Sequence, residues 1–327
     1  MERSNILIIG TLASGSSALV DMLKEYENIN VLPLEFNIYR RPGFVSDQLS
    51  PNTCIDYPNI IDENIKFTSK KWKLLYKSSI WKLFFKSYFD NIRDKNWGIL
   101  GKYKNSLISL RQIFLLKELS KNLKSEKSFE EKIQLSNEWI NQIGDIYSWK
   151  YDFTLYNQAL FPWCDINIWP MVFKPFKLIC VLRDPKDQLA EMVRRDIVFS
   201  PFRNSQINYA QFNIVSIYGN DRKGRMKFVT DALKKRVEVI DQWMKALGPD
   251  KMLVINFEGL ISNYDVYKSQ IEIFLGLSKD RHKYKNKYFN PDVALKNSIG
   301  IFKDYLSEEE IEDLSDLQTW YNDKFMI

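Results

Sequence analysis

The chain has almost no histidine and little cysteine. A single histidine, His282, stands among 327 residues, which excludes a His-rich zinc site and, away from that position, any Ser-His-Asp or Cys-His arrangement. His282 lies in Arg281-His282-Lys283-Tyr284-Lys285, a charged run that reads as a solvated loop. The three cysteines, Cys54, Cys164 and Cys180, form no Cys-x-x-Cys or other metal-ligand spacing. A reduced compartment fits, and no metal is expected. No apolar run approaches the ~18 residues of a membrane span. No signal peptide precedes the first apolar run at Ile6, so a cytoplasmic protein is expected. The formal net charge of +6 favours anionic ligands weakly and falls short of a dedicated nucleic-acid binder. No nucleic-acid partner is expected.

What is present is an ordinary globular composition, 45% hydrophobic and 27% charged, enough for a substantial core. Ile6-Leu7-Ile8-Ile9 reads as a buried strand. Beyond it, Ala18, Leu19, Met22, Leu23 and Tyr26 recur at helical spacing. A second strand is predicted from Ile29 to Leu34, ending at Glu35. A third, Leu178 to Leu182, runs into Arg183-Asp184-Pro185, where Asp184 suits an N-cap, Pro185 the first helical position and Asp187 the first turn. Leu233, Val237, Ile240, Met244 and Leu247 outline a helix that stops at Gly248-Pro249. A fourth strand, Met252 to Ile255, precedes a helix from about Asp265 to Leu275 closed by Gly276.

Strands alternating with helices predict an α/β fold, a mostly parallel sheet flanked by helices, in a single domain spanning 1–327. Residues 66–150 read as a helical insertion on it. Within that insertion Leu74, Trp81, Phe85 and Tyr88 share a face, interleaved with lysines between Lys66 and Lys86. Two readings stand: peripheral contact with a membrane or an anionic polymer, or an aromatic face packed on the domain.

Gly10 to Ser17 lies between the first strand and its helix. Small residues let backbone amides converge on an anion at a helix N-terminus, and the hydroxyls of Ser14, Ser16 and Ser17 can donate as well. The other reading is a tight strand–helix turn. The loop lacks the Gly-Lys-Ser/Thr of a Walker A motif, which argues against an NTPase.

Four segments in order resemble sulfotransferases that use 3′-phosphoadenosine-5′-phosphosulfate (PAPS). They are Ser14-Gly15-Ser16-Ser17, Val181 to Leu189, Ile255 to Leu260 followed by Phe274 to Leu277, and Leu295 to Lys303 with Gly300 and Phe302. The resemblance implies the P-loop-like fold of that family, with PAPS as co-substrate. It implies that Ser14, Gly15, Ser16 and Ser17 bind the phosphosulfate, and that Arg183 and Lys296, with Asn297 beside it, bind the 3′-phosphate. Arg183 stands where a parallel strand ends, the usual ligand rim of open α/β sheets, and a guanidinium suits phosphate. A salt bridge from Arg183 to Asp184 or Asp187 is the structural alternative.

Two positions depart from the family. Ala13 stands where a Lys or Arg usually precedes the Ser-Gly, and Glu191 stands where a Ser usually follows eight residues after the arginine. Arg40 and Arg41, on the substrate side, or a lysine of the helical region are candidates to replace the missing cation.

Sulfuryl transfer needs a base for the acceptor hydroxyl. With one unpromising histidine, a carboxylate is the natural candidate, and Glu35 follows the second strand. Burial that lifts a carboxyl from ~4.3 toward ~6 would help such a base. Pairing of Glu35 with Arg40 or Arg41 is the alternative. The expected reaction is sulfation of a hydroxyl acceptor, a carbohydrate such as a surface polysaccharide or glycolipid. A nucleotide-dependent phosphotransferase with an atypical loop and a non-catalytic binder of anionic polymers are the competing readings.

Overall fold

The structure, a computed structural model, describes residues 3–10, 13–32, 35–36, 39, 45–49, 111, 114–147, 151–160, 164–196, 219 and 221–325, and at 47–48, 147 and 295–297 the backbone only. The chain divides into two compact units. The first comprises Met1–Asn5, Leu32–Thr154 and Ala159–Pro175; the second comprises Ile6–Val31, Leu155–Gln158 and Phe176–Ile327.

A five-stranded, all-parallel sheet belongs chiefly to the second unit. Its strands are β1 (Ser4–Gly10), β2 (Ile29–Val31), β3 (Phe153–Asn157), β4 (Phe176–Leu182) and β5 (Met252–Asn256), in the order β2-β3-β1-β4-β5. The central strands are apolar along their middles: Ile6, Leu7 and Ile8 in β1 and Leu178 to Val181 in β4 are fully buried, as a sheet covered on both faces requires. Among them Cys180 has its thiol pushed up to about 12 by burial, which keeps it protonated and inert. The expected parallel α/β architecture is therefore the one found.

The second strand is shorter than its sequence suggests. Its ladder ends at Val31, and Leu32 is buried outside it. Pro33 has no N–H to offer a ladder, which is reason enough for the strand to stop before it. Strand β3 was not anticipated: Phe153-Thr154-Leu155-Tyr156-Asn157 is five residues long and carries little alternation.

Helix α1 (Ser16–Leu23) buries Leu19, Val20, Met22 and Leu23 as its spacing predicts. Helix α2 (Val45–Leu49) is a short element of the first unit. There α3 (Phe129–Tyr147) packs on α4 (Trp169–Phe173), and Asn137 Nδ2 donates to the carbonyls of Val172 and Lys174, both at 2.8 Å. Arg3 joins the same face, 2.8 Å from Asp145 and donating to the Asn141 carbonyl at 2.7 Å. The anticipated helical insertion thus has helix at 114–123 and 129–147; its basic aromatic stretch, Lys66 to Lys86, lies outside the described residues.

In the second unit, α5 (Pro185–Arg194) starts as predicted. The Asp184 side chain accepts from the amides of Lys186 at 2.9 Å and Asp187 at 3.3 Å, with Pro185 in the first turn. Helix α6 (Arg222–Leu247) ends at Gly248, φ 73°. After β5 come α7 (Phe257–Ser262), α8 (Tyr264–Leu275) with left-handed Gly276 at its end, and α9 (Pro291–Ser298). The chain closes with α10 (Phe302–Tyr305), α11 (Glu308–Glu312) and α12 (Ser315–Phe325). Leu189 and Met192 of α5 join Met226, Val229 and Leu233 of α6 and Leu314 and Leu317 near the C-terminus in one apolar cluster.

A capping box starts α11: Ser307 accepts from the Glu310 amide, and Glu310 accepts from the Ser307 amide. Glu310 also takes two bonds from Arg222, at 2.8 and 3.0 Å, tying α11 to α6. Burial opposes its ionisation, but the Arg222 and Ser307 donors outweigh that and hold its carboxyl below the ordinary 4.5. A depressed carboxyl contributes stability above its unfolded value that is lost as pH falls through the folded value. Glu310→Gln keeps the cap but not the charge. It is expected to cost about 1 kcal/mol at pH 7 and less as pH falls through the folded value; a loss that does not shrink with falling pH in urea melts would refute this account.

Candidate active site

The strand order creates a switch point in the second unit. From β1 the chain moves outward to β2 and β3, then crosses back over β1 to β4. Neighbouring strands whose connections leave in opposite directions open a crevice at their C-terminal ends. Here that crevice is bounded by the segment after β1, Gly10 to Ser17, and by Arg183 after β4.

The loop is built for close approach. Gly15 caps α1 in the left-handed region, φ 83°, and a Cβ on it would lie 2.2 Å from the Phe257 ring. A Cβ on Gly10 would lie 2.0 Å from Ser14 Oγ. Ser14 is 1% exposed, and its Oγ is a buried hydroxyl with no hydrogen-bond partner among the described residues. Ser16 Oγ accepts from Gln158 Nε2 at 2.7 Å, while Ser17 is exposed at the helix start. Ala13 has φ 58° and packs on the apolar cluster of α5 and α6. An alanine suits that contact.

Arg183 is buried, and its partners differ from both sequence readings of a salt bridge. Nη1 donates to the Ala13 carbonyl at 3.2 Å and Nη2 to the Ser298 carbonyl at 2.6 Å. Its guanidinium lies over the Phe257 ring, 5.2 Å from the centroid, and Nε has no partner among the described residues. Its nearest carboxylate is not Asp184 or Asp187 but Glu191, 4.0 Å from Nη1. Desolvation lowers the arginine's pKa, against the opposing pull of Glu191, Glu258 and Asp187.

Asp187, expected as a first-turn acid or a partner of Arg183, takes a different part. Its carboxylate accepts from the amides of Gly300 at 2.7 Å and Phe302 at 3.1 Å, and Lys186 Nζ lies 4.8 Å from the Phe302 ring centroid. The Arg183-to-Asp187 stretch therefore holds the 298–302 segment, so two of the four resembling segments meet although more than a hundred residues separate them. Lys296 and Asn297 are in α9, where only the backbone is described.

Sequence reading missed Phe257 and Gln158. The parallel register Leu182↔Asn256 sets Phe257 one residue beyond β5 beside Arg183. Gln158, φ 53°, follows β3 and donates its own N–H to the Ile8 carbonyl at 2.7 Å. A non-glycine φ above zero is a useful pointer to a constrained site, but it has no signature in sequence. Glu258 also sits at this rim. Burial raises its carboxyl above the ordinary value, and its oxygens accept from the Asp184 amide at 3.1 Å and from the Tyr321 hydroxyl. It clamps the ends of β4 and β5 to α12.

Glu35 lies in the first unit, four positions past the end of β2, and is exposed rather than buried. Arg40 and Arg41 lie outside the described residues. His282 is not the solvated residue its neighbours suggested: its side chain is 4% exposed. Nε2 is 2.8 Å from Glu25 Oε2, and the ring stacks on Tyr26 with centroids 4.6 Å apart. Glu25 is fully buried and also accepts from the Tyr288 and Phe289 amides. A buried carboxylate needs donors, and that need turns the histidine inward while Arg281 and Lys283 stay exposed.

Among the described residues no group of three or more His, Cys, Asp or Glu could hold a metal ion, and no helix is long and apolar enough to cross a membrane. No family model matches the chain, and no curated protein matches it. Solved structures do. The sulfotransferase domain from the curacin biosynthetic pathway is 14% identical over 96% of this chain and 97% of that one, with a TM-score of 0.44. A sulfotransferase from Alicyclobacillus acidocaldarius is 14% identical over 98% of this chain and 97% of that one, at 0.39. One from Mycobacterium avium is 10% identical over 99% of this chain and 77% of that one, at 0.45.

Proposed function

We propose that the protein is a cytoplasmic sulfotransferase that moves the sulfuryl group of PAPS to a carbohydrate hydroxyl. The observation that carries this reading is the pair of buried, unpartnered donors at the crevice, Ser14 Oγ and Arg183 Nε. Burying a donor without a partner is costly, and an anion such as phosphate or sulfate supplies the acceptor oxygens both lack. The residues present fit the co-substrate. Ser14 to Ser17, with the first amides of α1, suit the 5′-phosphosulfate; Arg183, with Lys296 and Asn297, suits the 3′-phosphate.

In this reading the bond from sulfur to the acceptor oxygen forms as the bond from sulfur to the phosphate oxygen breaks. Glu35 takes the hydroxyl proton, on the strength of its place in the sequence, and the loop donors stabilise the charge left on the phosphate. Arg40 and Arg41 are the proposed contacts to the acceptor.

The test is a thermal-shift comparison of 3′-phosphoadenosine-5′-phosphate (PAP, the desulfated product) with ADP and AMP. A ligand at 100 times its Kd stabilises by about 2.7 kcal/mol, so at one concentration PAP is expected to raise the melting temperature more than either. Equal shifts from PAP and ADP would remove the 3′-phosphate, and with it PAPS, from the proposal.

A further inference from the structure

Glu191 is the most heavily engaged carboxylate beside the crevice. It is 2% exposed, on the second turn of α5. Its Oε2 lies 2.6 Å from Arg194 Nη2 and 4.0 Å from Arg183 Nη1, and its Oε1 accepts from Arg195 Nε. Burial works against its charge, but the arginine donors outweigh this and keep its carboxyl below the ordinary value. Glu191 is therefore a fixed, ionised anion, held in place by two arginines whose side chains are 37% and 64% exposed, facing a third that is 4% exposed.

Arg183 is already partly engaged. Two of its five N–H donors go to the Ala13 and Ser298 carbonyls, and Glu191 stands 4.0 Å away before any ligand arrives. A second anion brought to this guanidinium meets a negative neighbour already in place. Like charges in a desolvated site repel strongly, and the arrangement of charges decides which ligand is accepted.

We infer that Glu191 is a specificity-determining residue, an internal counter-anion at Arg183 that weakens the site's grip on a nucleotide 3′-phosphate while leaving the 5′ end untouched. This rests on the proposed role of Arg183 as the 3′-phosphate ligand. It accounts for a carboxylate at a position where the resemblance leads one to expect a hydroxyl: a serine would donate to the phosphate, whereas Glu191 competes with it. The consequence is a site whose preference for PAP over ADP is real but small, and whose desulfated product leaves readily.

Glu191→Gln removes the charge and keeps the shape and an acceptor oxygen for Arg195. The Kd for PAP is expected to fall roughly 10- to 100-fold, while that for ADP, which has no 3′-phosphate, moves less than about threefold. Arg195→Ala acts in the opposite sense. It alters a mostly exposed side chain and frees the carboxylate to lean on Arg183. The ratio of the ADP Kd to the PAP Kd is expected to fall about three- to tenfold. Both variants are followed by calorimetric titration, with melting curves as the control for folding. A ratio unmoved in the Arg195 variant, and in the Glu191 variant if it folds, overturns the inference while leaving PAP as the ligand. Binding of neither nucleotide by wild type or variants overturns the donor reading, and the role of Glu191 with it.

Discussion

Gly15→Ala is expected to abolish PAP binding and to destabilise the fold by roughly 2 to 5 kcal/mol. Two independent costs add at this position. Gly15 sits at φ 83°, where an L side chain costs about 1–2 kcal/mol. The new Cβ would also lie 2.2 Å from the Phe257 ring, and overpacking of that kind costs about 1–3 kcal/mol. The ring has nowhere to retreat, because it is 5% exposed and the Arg183 guanidinium lies over it. Relief by moving the loop would withdraw Ser14 and the first amides of α1 from the anion they are proposed to hold. Urea melts and PAP titration measure the two effects separately. Adding Phe257→Ala to Gly15→Ala should recover the clash but not the backbone strain. A Gly15→Ala protein that binds PAP within threefold of wild type would show that this loop does not hold the nucleotide.

The largest kinetic effect is expected at Glu35. Glu35→Gln keeps size and hydrogen bonding but cannot take a proton at neutral pH. Loss of a general base lowers kcat by roughly 10² to 10⁴, while PAP affinity should stay within twofold of wild type, since the residue acts on the acceptor and not on the nucleotide. The assay is transfer of labelled sulfate from PAPS to a panel of sugar acceptors. Near-normal kcat in the variant would dismiss Glu35 as the base. It would direct attention to Glu258, the carboxylate that burial raises at the rim of the sheet. Loss of PAP binding together with early melting would instead assign Glu35 to the architecture of its own unit.

Much of the fold could be read from local chemistry. An apolar run, a loop of small residues and a helical stripe predict β1, its loop and α1, because burial and backbone sterics act over a few residues. The Asp184-Pro185 start of α5 and the glycine ends of α6 and α8 were equally legible, since caps are short-range devices. Strand β3 and the early end of β2 were not. Both depend on which neighbour supplies a ladder, and a proline two positions on is a weak sign beside an apolar run.

The amino-acid sequence by itself determined the alternation of strand and helix, the phosphate-loop composition and the near absence of histidine chemistry, because each is a property of adjacent residues or of counts. Tertiary structure alone decided what the charged side chains do. Arg183 could have paired with Asp184 or Asp187 on grounds of proximity along the chain. Instead the register of β4 on β5 sets it over Phe257, its donors go to the Ala13 and Ser298 carbonyls, and Asp187 turns to the amides of Gly300 and Phe302. His282 was assigned to solvent by its lysine neighbours and is drawn inward by Glu25, a residue 257 positions away. Charges and donors select partners by distance and desolvation in three dimensions, and neither quantity exists until the sheet has formed.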